Sequence, residues 1–340
     1  MGACSRLMSS TAKTVPNGAA ASLSISVRTG KVRLCVARKR FLAEGVCGLE
    51  LTAPDGRRLP DWTPGSHIDL TFGDGITRQY SLCGDRWDAY TYQVAVLREP
   101  TSRGGSAYVH DELGEGDLVD IAGPRNNFAL APADRYLFIA GGIGITPLLP
   151  MLEQADLLDT PWRLLYGGRR RDSMAFLDRL APWGERVEVH PQDERGLLDL
   201  DHIAEQSAGT KIYCCGPEPL LDAVRAAATR LPAGALRTER FVAATKPPPI
   251  RSTPFEIELA RSGITVTVSP DASVLDAVAE AGIPILASCR QGICGTCETG
   301  VVNGVPDHRD SLLDEHERQR GDCFYPCVSR AASDRLVLDL

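Results

Sequence analysis

Three cysteines in the segment SCRQGICGTCETG, Cys289, Cys294 and Cys297, are spaced C-x4-C-x2-C, and Cys327 follows after 29 intervening residues. Thiolates are soft ligands for iron, and this spacing is the ligand pattern of a plant-type 2Fe-2S cluster. Gly292 and Gly295 let backbone N–H groups approach the sulfides, and such hydrogen bonds help set the potential. Zinc knuckles favour paired C-x2-C units and only one occurs here, which argues against zinc. Cys323 in CFYPC is a second candidate for the fourth ligand. Cys327 is preferred because Pro326 would present it rigidly, leaving Cys323 as a buried thiol.

A second chemistry is suggested by glycines. YLFIAGGIGITP sets Gly141, Gly142 and Gly144 between an apolar strand and a helix, where backbone amides and the helix dipole can meet a pyrophosphate. It departs from G-x-G-x-x-G, so tight strand-to-helix packing alone would also explain it. Thr146 reads as the N-cap with Pro147 at the first helical position. Cys215-Gly216-Pro217 repeats the arrangement after the strand KIYCC, placing both turns on one rim of a parallel sheet. Arg169, Arg170 and Arg171 follow the strand WRLLY, where such folds read the adenosine ribose. An arginine there would favour a 2′-phosphate, although three in a row also suit a solvated loop.

Arg78-Gln79-Tyr80-Ser81 puts an arginine, an aromatic and a hydroxyl on one strand, and Arg103-Gly104-Gly105-Ser106 offers glycine amides beside another hydroxyl. Alternation sends Arg78 and Tyr80 to one face and Gln79 and Ser81 to the other. An ordinary strand would carry the same residues.

The elements that position these groups fall into three modules. At 340 residues the chain exceeds what one core usually serves, and 43% hydrophobic with 24% charged residues is ordinary globular usage. Short strands punctuated by Gly, Pro and Asp over 31–131 suggest an antiparallel β-barrel. From 132 to 245 strand and helix signals alternate, as in a parallel α/β sheet with helices on both faces. Pro247, Pro248 and Pro249, with Pro254 close behind, mark a stiff linker over 246–252. Residues 253–340 form a small α+β unit of β-grasp, ferredoxin-like type that holds the cysteine cluster. Residues 1–30, rich in Ser, Thr, Ala and Gly, read as a disordered extension, with an organellar transit peptide as the alternative.

Charge and cysteine usage exclude several classes. The formal net charge is −7, and 247–340 holds 14 Asp or Glu against 8 Arg and no Lys. An acidic module argues against nucleic acid and anionic membranes and suits a basic protein partner; a merely solvated surface is the plainer alternative. Eleven cysteines in so long a chain are not a secreted disulfide framework and indicate a reducing, cytoplasmic setting. No apolar run reaches the roughly 20 residues that span a bilayer.

Taken in order, RQYS, RGGS, PRNNF, GGIGITP, CGP and C-x4-C-x2-C…C resemble the phthalate dioxygenase reductase family, including vanillate demethylase reductase subunits, over roughly Lys31 to Leu340. The resemblance implies that Arg78, Gln79, Tyr80 and Ser81 hold FMN in preference to FAD. It also implies that Gly104, Gly105 and Ser106 cradle its phosphate and that Pro124, Arg125 and Asn126 line the barrel edge beside it. Gly141, Gly142, Gly144, Thr146, Arg169, Cys215, Gly216 and Pro217 then serve NADH or NADPH, with Thr146 and Cys215 toward the nicotinamide. Pro150 is expected to disturb the helix after the glycines. Nicotinamide delivers two electrons as hydride whereas the cluster takes one, so a flavin must divide the pair. No general base or nucleophile is required, and His67, His110 and His308 read as structural or surface groups. The implied activity is an NAD(P)H-dependent reductase feeding a terminal oxygenase, of Rieske type acting on aromatics. A haem monooxygenase partner and a non-catalytic iron–sulfur redox sensor are the alternatives.

Overall fold

The computed structural model describes residues 32–340 apart from 74, 101–103, 208 and 244–247. The N-terminal extension and Arg103 therefore lie outside the described residues. Among those described, no helix is long and apolar enough to cross a membrane.

Strands β1 (Val32–Ala43), β2 (Val46–Thr52), β3 (His67–Phe72), β4 (Ile76–Ser81), β5 (Thr91–Leu97) and β6 (Leu118–Arg125) form an antiparallel sheet in the order β4-β3-β6-β1-β2-β5. The two ends meet through the bridge Leu82–Val94, which closes the sheet into a barrel. Alternation does the work here: Leu34 and Val36, Leu49 and Leu51, Ile68 and Leu70, and Tyr92 and Val94 point inward and are buried. A short helix α1 (Gly105–Asp111) leaves an N-cap, Gly104, at φ 91°, a conformation glycine adopts without strain.

Strands β7 (Arg135–Gly141), β8 (Trp162–Gly168), β9 (Val187–Pro191), β10 (Thr210–Cys215) and β11 (Leu236–Glu239) make a wholly parallel sheet ordered β11-β10-β7-β8-β9. Period-two alternation again sorts the side chains. Phe138, Ala140, Tyr213 and Cys215 pack toward helix α2 (Ile145–Leu157), whereas Leu137, Ile139, Ile212 and Cys214 pack toward helix α5 (Glu218–Ala227). Between them lie two one-turn helices, α3 (Leu177–Leu180) and α4 (Gln192–Arg195). SMAFLDRL thus yields far less helix than its spacing suggests, because Phe176 at φ 66° and Pro182 bracket it. LDLDHIAEQ yields only a 3₁₀ turn over Asp201–Glu205. Pro150 sits inside α2, which continues unbroken to Leu157, contrary to the expected disturbance. A proline removes one intrahelical bond, and here Leu148, Leu149, Met151 and Leu152, all buried, anchor the helix on both sides of it.

The barrel and this sheet share one core, in which Ala43, Val46, Cys83, Ala95 and Phe128 pack in the same cluster as Phe138, Leu148 and Met151. After Pro248, Ile250 N donates to Asp307 (3.1 Å) and Arg251 pairs with Asp334. A third sheet follows, with β12 (Phe255–Leu259), β13 (Ile264–Val268), β14 (Thr299–Asn303), β16 (Cys323–Phe324) and β18 (Arg335–Leu338) ordered β13-β12-β18-β14-β16. A small ladder joins β15 (Pro306–Asp307) to β17 (Arg330–Ala331). Helix α6 (Val274–Glu280), capped by Ser273, covers this sheet with Val274, Ala277 and Val278; α7 (Glu315–Arg320) carries a capping box from Asp314 and Glu317. The parallel pairing of β12 with β18 beneath a crossing helix is a β-grasp arrangement.

Candidate functional site

The cluster loop follows α6 without regular structure, so its shape is set by glycine and by hydrogen bonds. Gly292 (φ 75°) and Gly295 (φ 71°) occupy left-handed backbone, as does Arg290. A Cβ at Gly292 would lie 2.6 Å from the Val328 side chain and 3.0 Å from the Asp310 backbone. The four cysteines stand in two pairs. Cys289 neighbours Cys294, and Cys327 neighbours Cys297. Each pairing holds one thiol, Cys294 or Cys297, below the ordinary value and, with burial, raises the other, Cys289 or Cys327. Backbone amides reach the sulfurs as the glycines promised, Gln291 N lying 3.3 Å from Cys289 Sγ.

Two thiol pairs are the donor set of two irons. Cys323 is kept out of both pairs, because β16 ties it to Gly300 of β14; burial and then Glu298 raise its thiol to about 11.

The two glycine turns of the parallel sheet touch each other. A Cβ at Gly144 would lie 2.1 Å from the Cys215 carbonyl oxygen, and one at Gly141 would lie 2.6 Å from Pro217 and 3.3 Å from Gly216. Gly142, at φ 53°, faces open space. The rim thus has one closely packed seam, which demands glycine sterically, and one open glycine that a ligand can approach. Thr146 is not the cap: Gly144 takes that position, and the buried Thr146 hydroxyl donates to the Ile143 carbonyl (3.0 Å). Of the three arginines, Arg170 pairs with Glu44 and Arg171 with Glu194, leaving Arg169 exposed and without an ion pair among the described residues. Cys215 is fully buried, its Sγ 3.9 Å from Glu239 Oε2.

Glu239 ends β11 and lines a cavity shared by the barrel, the end of the parallel sheet and the cluster loop. The barrel contributes His67, Arg78, Gln79 and Ser81; the end of the parallel sheet contributes Glu239, Arg240 and Phe241; the cluster loop contributes Cys289, Gln291 and Ile293. Burial, opposed by the Cys215 contact, raises the Glu239 carboxyl to about 8. His67 is buried and held down to about 4 by that burial and by Arg125, so it is neutral near pH 7. Its Nε2 has no hydrogen-bond partner among the described residues. Arg78 lies against α1, where a Cβ on Gly105 would come 2.8 Å from its side chain. A guanidinium beside glycine amides is a donor set for phosphate, and an orphaned imidazole nitrogen in a buried wall suits a heterocycle with ring heteroatoms. The residues present therefore fit a flavin mononucleotide.

The remaining candidate residues have partners within the protein. Tyr80 does not line the cavity; it packs on the barrel core near Cys47, and burial raises its hydroxyl. The Gln79 amide is engaged by Asp69 Oδ1 (2.9 Å) and Ser288 Oγ (3.1 Å). The Ser106 hydroxyl accepts from Glu99 N (3.1 Å) within α1's own surroundings. Asn126 braces the turn before β3, donating to Thr63 Oγ1 (2.7 Å) and the Pro64 carbonyl, and Arg125 pairs with buried Asp69. His110 bonds Val96 O (2.9 Å) in a structural role. Sequence reasoning passed over Glu239, Phe241, Ser288, Ile293 and Asn127, and read His67 as merely structural. The one available signal was Asn127's place in PRNNF.

Comparison with known proteins agrees with this layout. Residues 257–332 match the 2Fe-2S iron-sulfur cluster binding domain, and residues 138–226 match the oxidoreductase NAD-binding domain. The chain is 41% identical to phenoxybenzoate dioxygenase subunit beta of Ectopseudomonas oleovorans, covering 94% of this chain and 100% of that one. It is 37% identical to phthalate dioxygenase reductase of Burkholderia cepacia over 92% and 98% of the two chains. A solved phthalate dioxygenase reductase superposes with a TM-score of 0.66 at 36% identity, covering 92% of this chain and 98% of that one. An intact type IV self-sufficient cytochrome P450 monooxygenase gives 0.86 at 43% identity, over 91% of this chain but 41% of that one. With thiols paired for two irons, a nucleotide rim and a cavity between them, the chain belongs to the phthalate dioxygenase reductase family and is an NAD(P)H-dependent oxidoreductase, the reductase component of an oxygenase system.

Proposed function

We propose that this reductase carries FMN in the three-sided cavity and serves a Rieske-type terminal oxygenase that hydroxylates or demethylates an aromatic compound. The observation that carries the reading is the convergence of barrel, parallel sheet and cluster loop on one cavity. Bound FMN supplies the conversion of a two-electron donor into one-electron output. In this reading Cys289, Cys294, Cys297 and Cys327 hold the cluster. Arg78 with the amides of Gly104 and Gly105 meets the FMN phosphate, and Ser81 and His67 face the ring system. Phe241, 38% exposed at the cavity's edge, offers an apolar face for a flat heterocycle to cover. Gly142, with Gly216 and Pro217 behind it, receives the pyrophosphate, and Arg169 reads the ribose. The module boundaries proposed are 31–131, 132–245, a linker at 246–252 and 253–340.

The test is cofactor content followed by turnover. Released flavin should chromatograph as FMN and not FAD, iron and sulfide should be present in equal amounts, and purified protein should drive NADH-dependent cytochrome c reduction. A protein with cluster and flavin that reduces no acceptor would instead be a sensor. The superposition on the P450 monooxygenase favours a second reading, a haem acceptor. Side-by-side reconstitution with a Rieske oxygenase and a haem monooxygenase separates the two.

A further inference from the structure

We infer that Asn127 is a positioning residue for internal electron transfer, a latch that fixes the cluster loop against the flavin-side barrel; this rests on the electron path proposed above. Asn127 Nδ2 donates to the carbonyl oxygen of Cys294 at 2.9 Å, across 167 residues of chain. The loop is shaped to receive it. Gly295, the next residue, stands at φ 71°, and a Cβ there would lie 2.4 Å from Asn127 Nδ2. No other residue type leaves room for this contact without displacing the asparagine.

Asn127 is itself held rigidly. Asn126 before it is clamped on Thr63 and Pro64, while Phe128 after it is buried in the core shared by barrel and parallel sheet and donates its N–H to Asn126 Oδ1 (2.9 Å). A second carboxamide engages the loop's other end: Gln79, anchored on buried Asp69, donates to Ser288 Oγ, one residue before Cys289. From the opposite side Ser311 N donates to the Gly292 carbonyl (2.9 Å). The loop is thus fixed at both ends by the barrel and in its middle by its own domain. Two redox centres held at one separation need no domain swing between electron arrivals, and Asn127 reaches the backbone of a cluster ligand from the barrel side. A donor on the Cys294 carbonyl also withdraws electron density beside the ligand and favours the reduced, more negative cluster.

The experiment compares wild-type holoenzyme with Asn127→Leu, and with Asn127→Ser as a smaller substitution should the leucine variant retain less cluster. Bleaching of the bound flavin by NADH should be unchanged, while cluster reduction slows about tenfold. The cluster's midpoint potential should fall, and hydrogen exchange in 288–297 should rise without loss of melting temperature. Asn127→Gln, which keeps the amide, should restore part of the rate. Unchanged potential, exchange and cluster reduction in both variants would overturn the assignment. Failure of the wild-type protein to reduce its cluster with NADH would sink the electron path itself, a result independent of the variants.

Discussion

Replacing Glu239 with Gln isolates the one cavity-lining carboxyl whose charge changes near neutral pH. Burial lifts it from 4.5 to about 8, so it is about 90% protonated at pH 7 and about 10% at pH 9. A protonated carboxyl is a neutral donor, whereas a carboxylate places negative charge on the wall where hydride, also negative, must arrive. If only the protonated form supports transfer, flavin reduction by NADH falls about tenfold between pH 7 and pH 9. Glu239→Gln is neutral throughout and should give a flat profile, and Glu239→Asp should keep an inflection. Anaerobic stopped-flow bleaching from pH 6 to 9.5 reads this directly. Linkage gives an independent sign: the folded chain holds this proton more tightly than the unfolded one, so stability declines as pH climbs from 4.5 to about 8 and levels off above. A rise from 4.5 to about 8 corresponds to at most about 5 kcal/mol, reduced by whatever water reaches the partly buried carboxyl. A wild-type inflection near pH 8 that survives in the glutamine variant would refute the assignment of this proton to Glu239.

Three further outcomes are expected. Gly144→Ala drives a methyl to 2.1 Å from the Cys215 carbonyl and should cost about 3 kcal/mol of stability, read as a lower melting temperature with weakened NADH binding. Arg169→Ser should leave NADH turnover intact and raise KM for NADPH about tenfold, since this exposed guanidinium has no competing carboxylate; an unchanged ratio of the two KM values would remove Arg169 from coenzyme choice. Cys327→Ser should abolish the cluster's visible absorbance and cytochrome c reduction while flavin reduction persists, and Cys323→Ser should retain both, because only Cys327 shares a thiol pair with Cys297.

Much of this was legible in the chain because the decisive signals are local. The cysteine spacing and the glycine turns after YLFIA and KIYCC each depend on a few neighbouring residues, and the fold places them as read. Glu239 gave no such signal, and Asn127 only its place in PRNNF. One is an acid at a strand end and the other the second asparagine of a pair, and each acquires its role only from elements far away in sequence. Thr146 misled for a related reason: a threonine before proline suits a cap, but Gly144 can press against Cys215 where a side chain cannot. The short helix at Leu177–Leu180 failed its spacing because Phe176 adopts a left-handed conformation that no pattern of apolar residues encodes.

The apolar seam joining Phe128 of the barrel segment to Met151 and Phe138 bears on how the molecule comes apart. Oily contacts of this kind cannot be exchanged for water one at a time, so barrel and parallel sheet should melt in a single transition. The Asn127 and Gln79 contacts to the β-grasp unit are polar and replaceable by solvent. Dismantling under heat or denaturant should therefore begin at the C-terminal end, shedding the exit for single electrons while hydride uptake survives.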